Sequence, residues 1–396
     1  MRALLALVLG LLGASSRGTP AAPWKRHAID DTAKGADGIR FADVNGDGFP
    51  DAVTAWEEGG VVRAYLHPGR VNVRDRWPAV TVGRVASGED AVFADLDADG
   101  ASEVVSSCEG STRAVYVHWA PRARTDFLNA AAWKTEPIPA TRGKRWMFCL
   151  PLQVDGKFGL DLVLGSKDAG ADIGWLEAPA DPRDLSAWKW HAMYGAGWVM
   201  SLFAVDVDKD GDLDILASDR KGKKTGCLWL ENPGPGDAQA GLWAEHRIGG
   251  RRETMFVMPF DLDGDGRLDV LAASPDGLFF IRCSSSAPLV WEEFPIDLPP
   301  DTGSGKAVAA GDLDLDGKPD LVFSCENASG KTGLGWLSVG RAFTDRAWNA
   351  RELSVREGIK FDLVCLLDLD GDGDLDVATT EERAALGVVW YENPAR

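Results

Sequence analysis

Short apolar runs recur along the chain every 51 to 58 residues, each directly after an acidic stretch. They read "AVTAW", "VVSS", "LVLG", "ILAS", "VLAA", "LVFS" and "VATT". They are too short for helices, rich in Val and Ile, and bounded by turn residues. That pattern predicts buried strands. A further strand precedes each acidic stretch, as in "SLFAV" and "KFDLVCLL". Two more strands follow. One carries "AYLHPG", "VHWAP", "GWLEAP", "LWLENP", "GWLSVG" or "WYENP", with "LFFIRC" in its place in the fifth repeat. The other begins with tryptophan: "WKRHAID" at Trp24, "WPAVTV" at Trp77, "WKTEPI" at Trp133, "WKWHAM" at Trp188, "WAEHRI" at Trp243, "WEEFPI" at Trp291 and "WNAREL" at Trp348. Four strands per repeat is the content of a propeller blade.

The acidic stretches are themselves copies. They are "DVNGDGFPD" at 43–51, "DLDADGASE" at 95–103, "DVDKDGDLD" at 206–214, "DLDGDGRLD" at 261–269, "DLDLDGKPD" at 312–320 and "DLDGDGDLD" at 368–376. A decayed seventh, "QVDGKFGLD", occupies 153–161. Seven repeats at a fixed period define the architecture before any single residue does. The order of the strand markers then closes the ring. The last repeat stops at "WYENPAR" and lacks its fourth strand, while the chain offers an orphan fourth strand at Trp24. An N-terminal strand completing the last blade removes the exposed edges of an open sheet. The expectation is an all-β, seven-bladed β-propeller of four-stranded blades, forming a single domain over 24–396.

Within each nine-residue loop, positions 1, 3, 5 and 9 carry oxygen ligands and position 6 is Gly. The candidate metal ligands are Asp43, Asn45, Asp47 and Asp51; Asp95, Asp97, Asp99 and Glu103; Asp206, Asp208, Asp210 and Asp214; Asp261, Asp263, Asp265 and Asp269; Asp312, Asp314, Asp316 and Asp320; and Asp368, Asp370, Asp372 and Asp376. All-oxygen, multidentate, flexible sites suit Ca²⁺ better than Mg²⁺. Position 12 carries Thr54, Ser106, Ala217, Ala272, Phe323 and Thr379, not the bidentate Glu of an EF-hand. A metal-free turn rich in Asp is the alternative for one copy, and six copies argue against it. The reading is structural Ca²⁺ at up to six sites. The copy at 153–161 is expected to bind none, because Lys157 stands at position 5 and its ammonium replaces the ion.

These repeats resemble the FG-GAP/VCBS type found in integrin α-subunit heads and many exported bacterial proteins. The resemblance covers nearly the whole chain after residue 24 and implies a calcium-loop propeller. It says little about activity.

Composition narrows the function classes. The net charge is −19, which argues against nucleic acid or anionic membranes as partners. Six bound Ca²⁺ ions would bring it to −7. The start, "MRALLALVLGLLGASS", reads as a signal peptide over 1–16. Its apolar run is short for a bilayer crossing of roughly 20 residues. The expected location is therefore secreted or periplasmic, without membrane insertion. Six widely spaced cysteines leave free thiols and disulfides equally open.

The loops repeat, but the opposite face varies from blade to blade, which is where an asymmetric ligand site is built. The candidate ligand-binding residues there are Arg40, Arg145, Trp146, Trp198, Lys306 and Lys360, with Glu57, Glu89, Asp90, Glu109, Lys167, Arg220, Glu326, Glu381 and Arg383 nearby. Acids and bases beside flat aromatics suit a polyhydroxylated ligand, although Trp146, Met147, Trp198 and Met200 would equally serve as a channel plug. No nucleophile elbow, phosphate loop or HExxH occurs, and no catalytic residue is assigned. The expected function is a binding module for glycans or an extracellular protein. The alternative is a sugar-processing lyase or dehydratase at the axis, since fungal aldos-2-ulose dehydratase carries a propeller of this general kind.

Overall fold

The computed structural model describes residues 23–234 and 236–396. The expected leader at 1–16 lies outside the described residues. Seven antiparallel sheets of four strands form a ring. The innermost strands are Ala36–Ala42, Gly88–Ala94, Arg145–Leu152, Val199–Val205, Val257–Pro259, Ser304–Gly311 and Phe361–Leu367. Each touches the innermost strand of the next blade, and the last touches the first. The seventh blade runs Phe361–Leu367, Asp376–Glu381, Gly387–Glu392 and then Lys25–Asp30. The N-terminal strand closes the ring, with His27 opposite Trp390.

Each acidic loop joins the first strand of its blade to the second. The loop's ninth residue starts the second strand, or in the fifth blade directly precedes it, and is buried in all seven blades: Asp51, Glu103, Asp161, Asp214, Asp269, Asp320 and Asp376. Its carboxylate clasps the blade. In the fourth blade Asp214 accepts the Val207 amide at 2.9 Å and the Asn232 amide, beyond the third strand, at 2.9 Å. Asp376 repeats this with Leu369 and Asn393. A buried acid is tolerated here because backbone donors satisfy both oxygens.

The tryptophans that open the fourth strands lock the preceding loop. Trp77, Trp133, Trp188, Trp243 and Trp348 are buried, and each indole N–H donates to a carbonyl three to six residues back. Trp291 differs, because the fifth blade joins Gly277–Ser286 to Leu289–Ile296 by a tight hairpin with no loop to lock. Three histidines share one device. His27, His191 and His246 stack on Trp390, Trp175 and Trp229 at 4.6, 4.7 and 4.3 Å. Their Nε2 atoms meet Glu392, Glu177 and Glu231 at 2.7, 2.9 and 2.6 Å. All six cysteines are free thiols.

Candidate functional site

The acidic loops and the varied face occupy opposite ends of the inner strands. In the loops, the first residue organises the turn. Asp43 accepts amides from Gly46, Asp47 and Gly48. Carboxylate oxygens of positions 1, 3 and 5 then converge. They lie within 4.8 Å of one another at Asp95, Asp97 and Asp99, at Asp206, Asp208 and Asp210, and at Asp261, Asp263 and Asp265. Position 6 has positive φ, 103° at Gly211. So does position 4, at 65° in Lys209 and 59° in Leu315, a requirement that the varied residues there conceal.

The loop at 153–161 tests whether these interiors suit a cation. Gln153 donates its amide to the carbonyls of Lys157 and Gly159. Lys157 Nζ reaches Asp155 Oδ2 at 2.8 Å. Where the first and fifth carboxylates are missing, hydrogen-bond donors occupy the interior instead. The interior is an acceptor cage in either form, which fits a hard cation in the other six loops. Arginines from adjoining segments also reach some of them: Arg183 meets Asp97 at 2.6 Å, Arg282 meets Asp263 at 2.6 Å, and Arg74 meets Asp370 at 2.5 Å. Among the described residues no such ion pair reaches the first three acids of the loops at 206–214 and 312–320.

The opposite end of the channel holds a cavity of about 310 Å³. Its wall is two rings set by register. Six residues before each loop stand Asp37, Glu89, Met147, Met200, Met255, Lys306 and Asp362, and all but the buried Met255 line the cavity. Six residues after each loop stand Glu57, Glu109, Lys167, Arg220, Pro275, Glu326 and Glu382, and all but Pro275 line it. Phe148 and Phe256 meet edge to face at 5.5 Å and form its floor. Below lies a more apolar chamber of about 360 Å³ that shares Phe256.

The expected ligand residues fall in different places. Lys306 is buried and pairs with Asp362 at 3.0 Å. Lys360 pairs with buried Glu382. Trp198 lines the cavity, but Lys167, Lys221 and Arg220 stand 4.6, 4.3 and 5.0 Å from its ring centre. It is therefore a cation-flanked wall rather than an open stacking platform. Arg40 sits beneath the floor, bound to Asp90 at 3.0 Å and 5.9 Å from the Phe148 ring centre. Arg145 turns to Asp168 in a separate recess of about 240 Å³. Trp146 does not reach the site. It is buried between blades, donates to the Thr141 carbonyl at 2.6 Å, and meets Trp190 edge to face. Glu381 is likewise internal, its carboxylate accepting the amides of Ile359, Lys360, Arg383 and Ala384. The neighbouring Glu382 faces the cavity instead.

Sequence reasoning passed over Asp37, Asp362 and Glu382. The signal was the constant offset from the loops, visible once all seven copies are superimposed. Electrostatics single out Asp37 and Asp362, and Glu89 beside them. Burial, then the Asp362 charge, raises the Asp37 carboxyl well above its ordinary range. Burial pushes Glu89 up to about 8, with Glu109 and Glu57 adding to it and Lys167 opposing. Burial also opposes ionisation of Asp362, but Lys306, a hydrogen bond with Asp37 and Lys360 together outweigh it and hold that carboxyl low.

A family description, FG-GAP-like repeat, matches residues 261–323, from the fifth acidic loop into the second strand of the sixth blade. A search of curated proteins finds no match. Among solved structures, BBS1N, crystallised in complex with ARL6DN and soaked with lead, superposes at a TM-score of 0.53 with 10% identity, covering 92% of this chain and 95% of that one. Saccharomyces cerevisiae Sqt1 gives 0.51 with 11% identity over 94% and 98%. An Agrocybe aegerita lectin specific for non-reducing terminal N-acetylglucosamine gives 0.45 with 15% identity over 82% and 80%. At these identities the likeness is one of fold.

Proposed function

We propose that this protein is an exported, calcium-stapled β-propeller that binds a small polyhydroxylated ligand in the axial cavity, on the face opposite the acidic loops. One observation carries the reading. On a scaffold repeated seven times, the two ring positions flanking the loops hold acids, bases and methionines that differ by blade. Twelve of those fourteen positions converge on one concave pocket, the usual setting of a small-molecule site. Calcium belongs to the other end, where acceptor cages close the first turn of each blade. There it supplies positive charge among the carboxylates and holds the turn; it takes no part at the cavity.

The test of the site is a screen of mono- and disaccharides by thermal shift and calorimetry, against wild type and Trp198→Ala. Binding that is lost in Trp198→Ala is expected. Absence of any binder, or binding indifferent to that substitution, refutes the assignment. The test of calcium is an EGTA scan: the melting temperature falls on chelation and returns with Ca²⁺, and an unmoved Tm refutes it.

The geometry of Glu89 favours a second reading, a sugar lyase or dehydratase. Its carboxyl, pushed up to about 8, sits 3.4 Å from Lys167 Nζ, poised for proton transfer near neutrality. Turnover of keto-sugars, abolished by Glu89→Gln, would establish it.

A further inference from the structure

The charge around the axial cavity is segregated by blade. The seventh, first and second blades place carboxylates at both ring positions: Asp362 with Glu382, Asp37 with Glu57, and Glu89 with Glu109. Lysines neutralise the flanks of this arc. Lys306 takes Asp362, Lys360 takes Glu382, and Lys167 stands between Glu89 and Glu109. The middle of the arc has no such partner: among the described residues, no lysine or arginine pairs with Asp37 or Glu57. Asp37 is 6% exposed, and burying an unpaired carboxylate is costly, which raises its carboxyl well above the ordinary range. A side-chain hydrogen bond joins it to Asp362, itself 3% exposed. The remaining wall combines Met147, Met200, Phe148, Phe256 and Trp198 with Arg220, Glu326 and Arg383.

Resting on the pocket reading above, we infer that the ligand is a small organic cation: a primary amine on a polyhydroxylated, hexose-sized body, its ammonium seated on Asp37 and Glu57. Asp37, Glu57 and Glu89 each offer an oxygen within 4.8 Å of the other two. Acceptors about 2.8 Å from a tetrahedral ammonium stand about 4.6 Å apart, so the trio accommodates three N–H donors. At about 30 Å³ per water, the cavity holds about ten waters or one hexose. The C–H face of the body packs on the methionines.

Calorimetry in saturating Ca²⁺ tests this with glucosamine, glucose, N-acetylglucosamine and glucuronate, and with Mg²⁺ alone. Glucosamine is expected to bind at least about tenfold tighter than the neutral sugars, and Glu57→Gln to weaken it about tenfold, the loss of one charged hydrogen bond. Asp37→Asn should do the same, and circular dichroism and Tm must show both variants folded. Equal binding of glucose or N-acetylglucosamine overturns the cationic class while leaving the pocket as the site. Mg²⁺ binding that Glu57→Gln abolishes and that excludes glucosamine overturns it in favour of a metal. Silence from glucosamine at millimolar concentration overturns it as well, and the wider saccharide screen then decides the pocket reading independently.

Discussion

Replacing Lys306 by Met is expected to destabilise the folded protein by about 3–5 kcal/mol, the usual cost of removing one partner of a buried ion pair. Lys306 Nζ lies 3.0 Å from Asp362 Oδ2, and the two side chains are 5% and 4% exposed. At that separation and an effective dielectric of 20, the attraction is about 5–6 kcal/mol. The relief of no longer burying the ammonium offsets part of it. Steric damage is not the cause, since Met occupies this register in the third, fourth and fifth blades. The loss is electrostatic and has two signatures. The double variant Lys306→Met/Asp362→Asn, with no charge left to strand, recovers most of the stability. The single variant's deficit also narrows as pH falls. Lys306 holds the Asp362 carboxyl below its ordinary value of 3.8. Wild type therefore gains stability from that group above this pH and loses it on acidification. Urea denaturation at pH 7 and pH 3, for wild type and both variants at fixed Ca²⁺, measures all of this. A deficit under about 1 kcal/mol at pH 7 with unchanged m-value, or a double variant no better than the single, would refute the reasoning.

Three further outcomes are expected. Gln153→Asp/Lys157→Asp removes the donors that fill the third loop and should raise the calcium stoichiometry by one, as read by equilibrium dialysis. His27→Ala should cost about 2 kcal/mol in urea denaturation and His246→Ala distinctly less, because the stacked ring is buried and its Glu partner half-buried at His27, while both are open at His246, the rings at 6% against 43% side-chain exposure. Glu89, at about 8 in the folded protein against 4.5 ordinarily, keeps its proton when the unfolded chain has lost it. Stability should thus decline between these pH values by up to about 1.4 kcal/mol per unit and level off above, with a shallower decline in Glu89→Gln.

The blades, their order and the ring closure were all legible because each is written several times. Seven acidic loops fix the period, and the orphan strand at Trp24 fits the one gap in the seventh blade. The third strand of the fifth blade was legible only as "LFFIRC", because the hairpin that replaces its loop removes the marker. Repetition also sorted the histidines: three at one register, each stacked on a tryptophan, are structural. Chemistry that is not repeated was harder to read. Trp146 and Arg145 were chosen for residue type, and both point elsewhere: Trp146 packs between blades and Arg145 pairs with Asp168. Glu381 ends its strand and Glu382 opens the turn that follows, and only the latter reaches the cavity.

Asp37 shows why the site was partly hidden and how it becomes visible. Alone, it is one acid in a glycine-flanked stretch, no different from many on a chain of net charge −19. Its meaning comes from its equivalents. The same offset from the loop gives Asp, Glu, three Met, Lys and Asp around the ring, and the offset beyond gives Glu, Glu, Lys, Arg, Pro, Glu and Glu. A position constrained only by blade packing would keep one residue type, as the ninth loop position keeps its buried acid in every blade. These two positions instead change sign around the axis, with acids over three consecutive blades and bases on the outer ring of the next two. Packing does not require that order. A ligand that is itself asymmetric does, and the segregation of charge around a near-symmetric channel is the physical reason to place the function there rather than in the acid-rich loops.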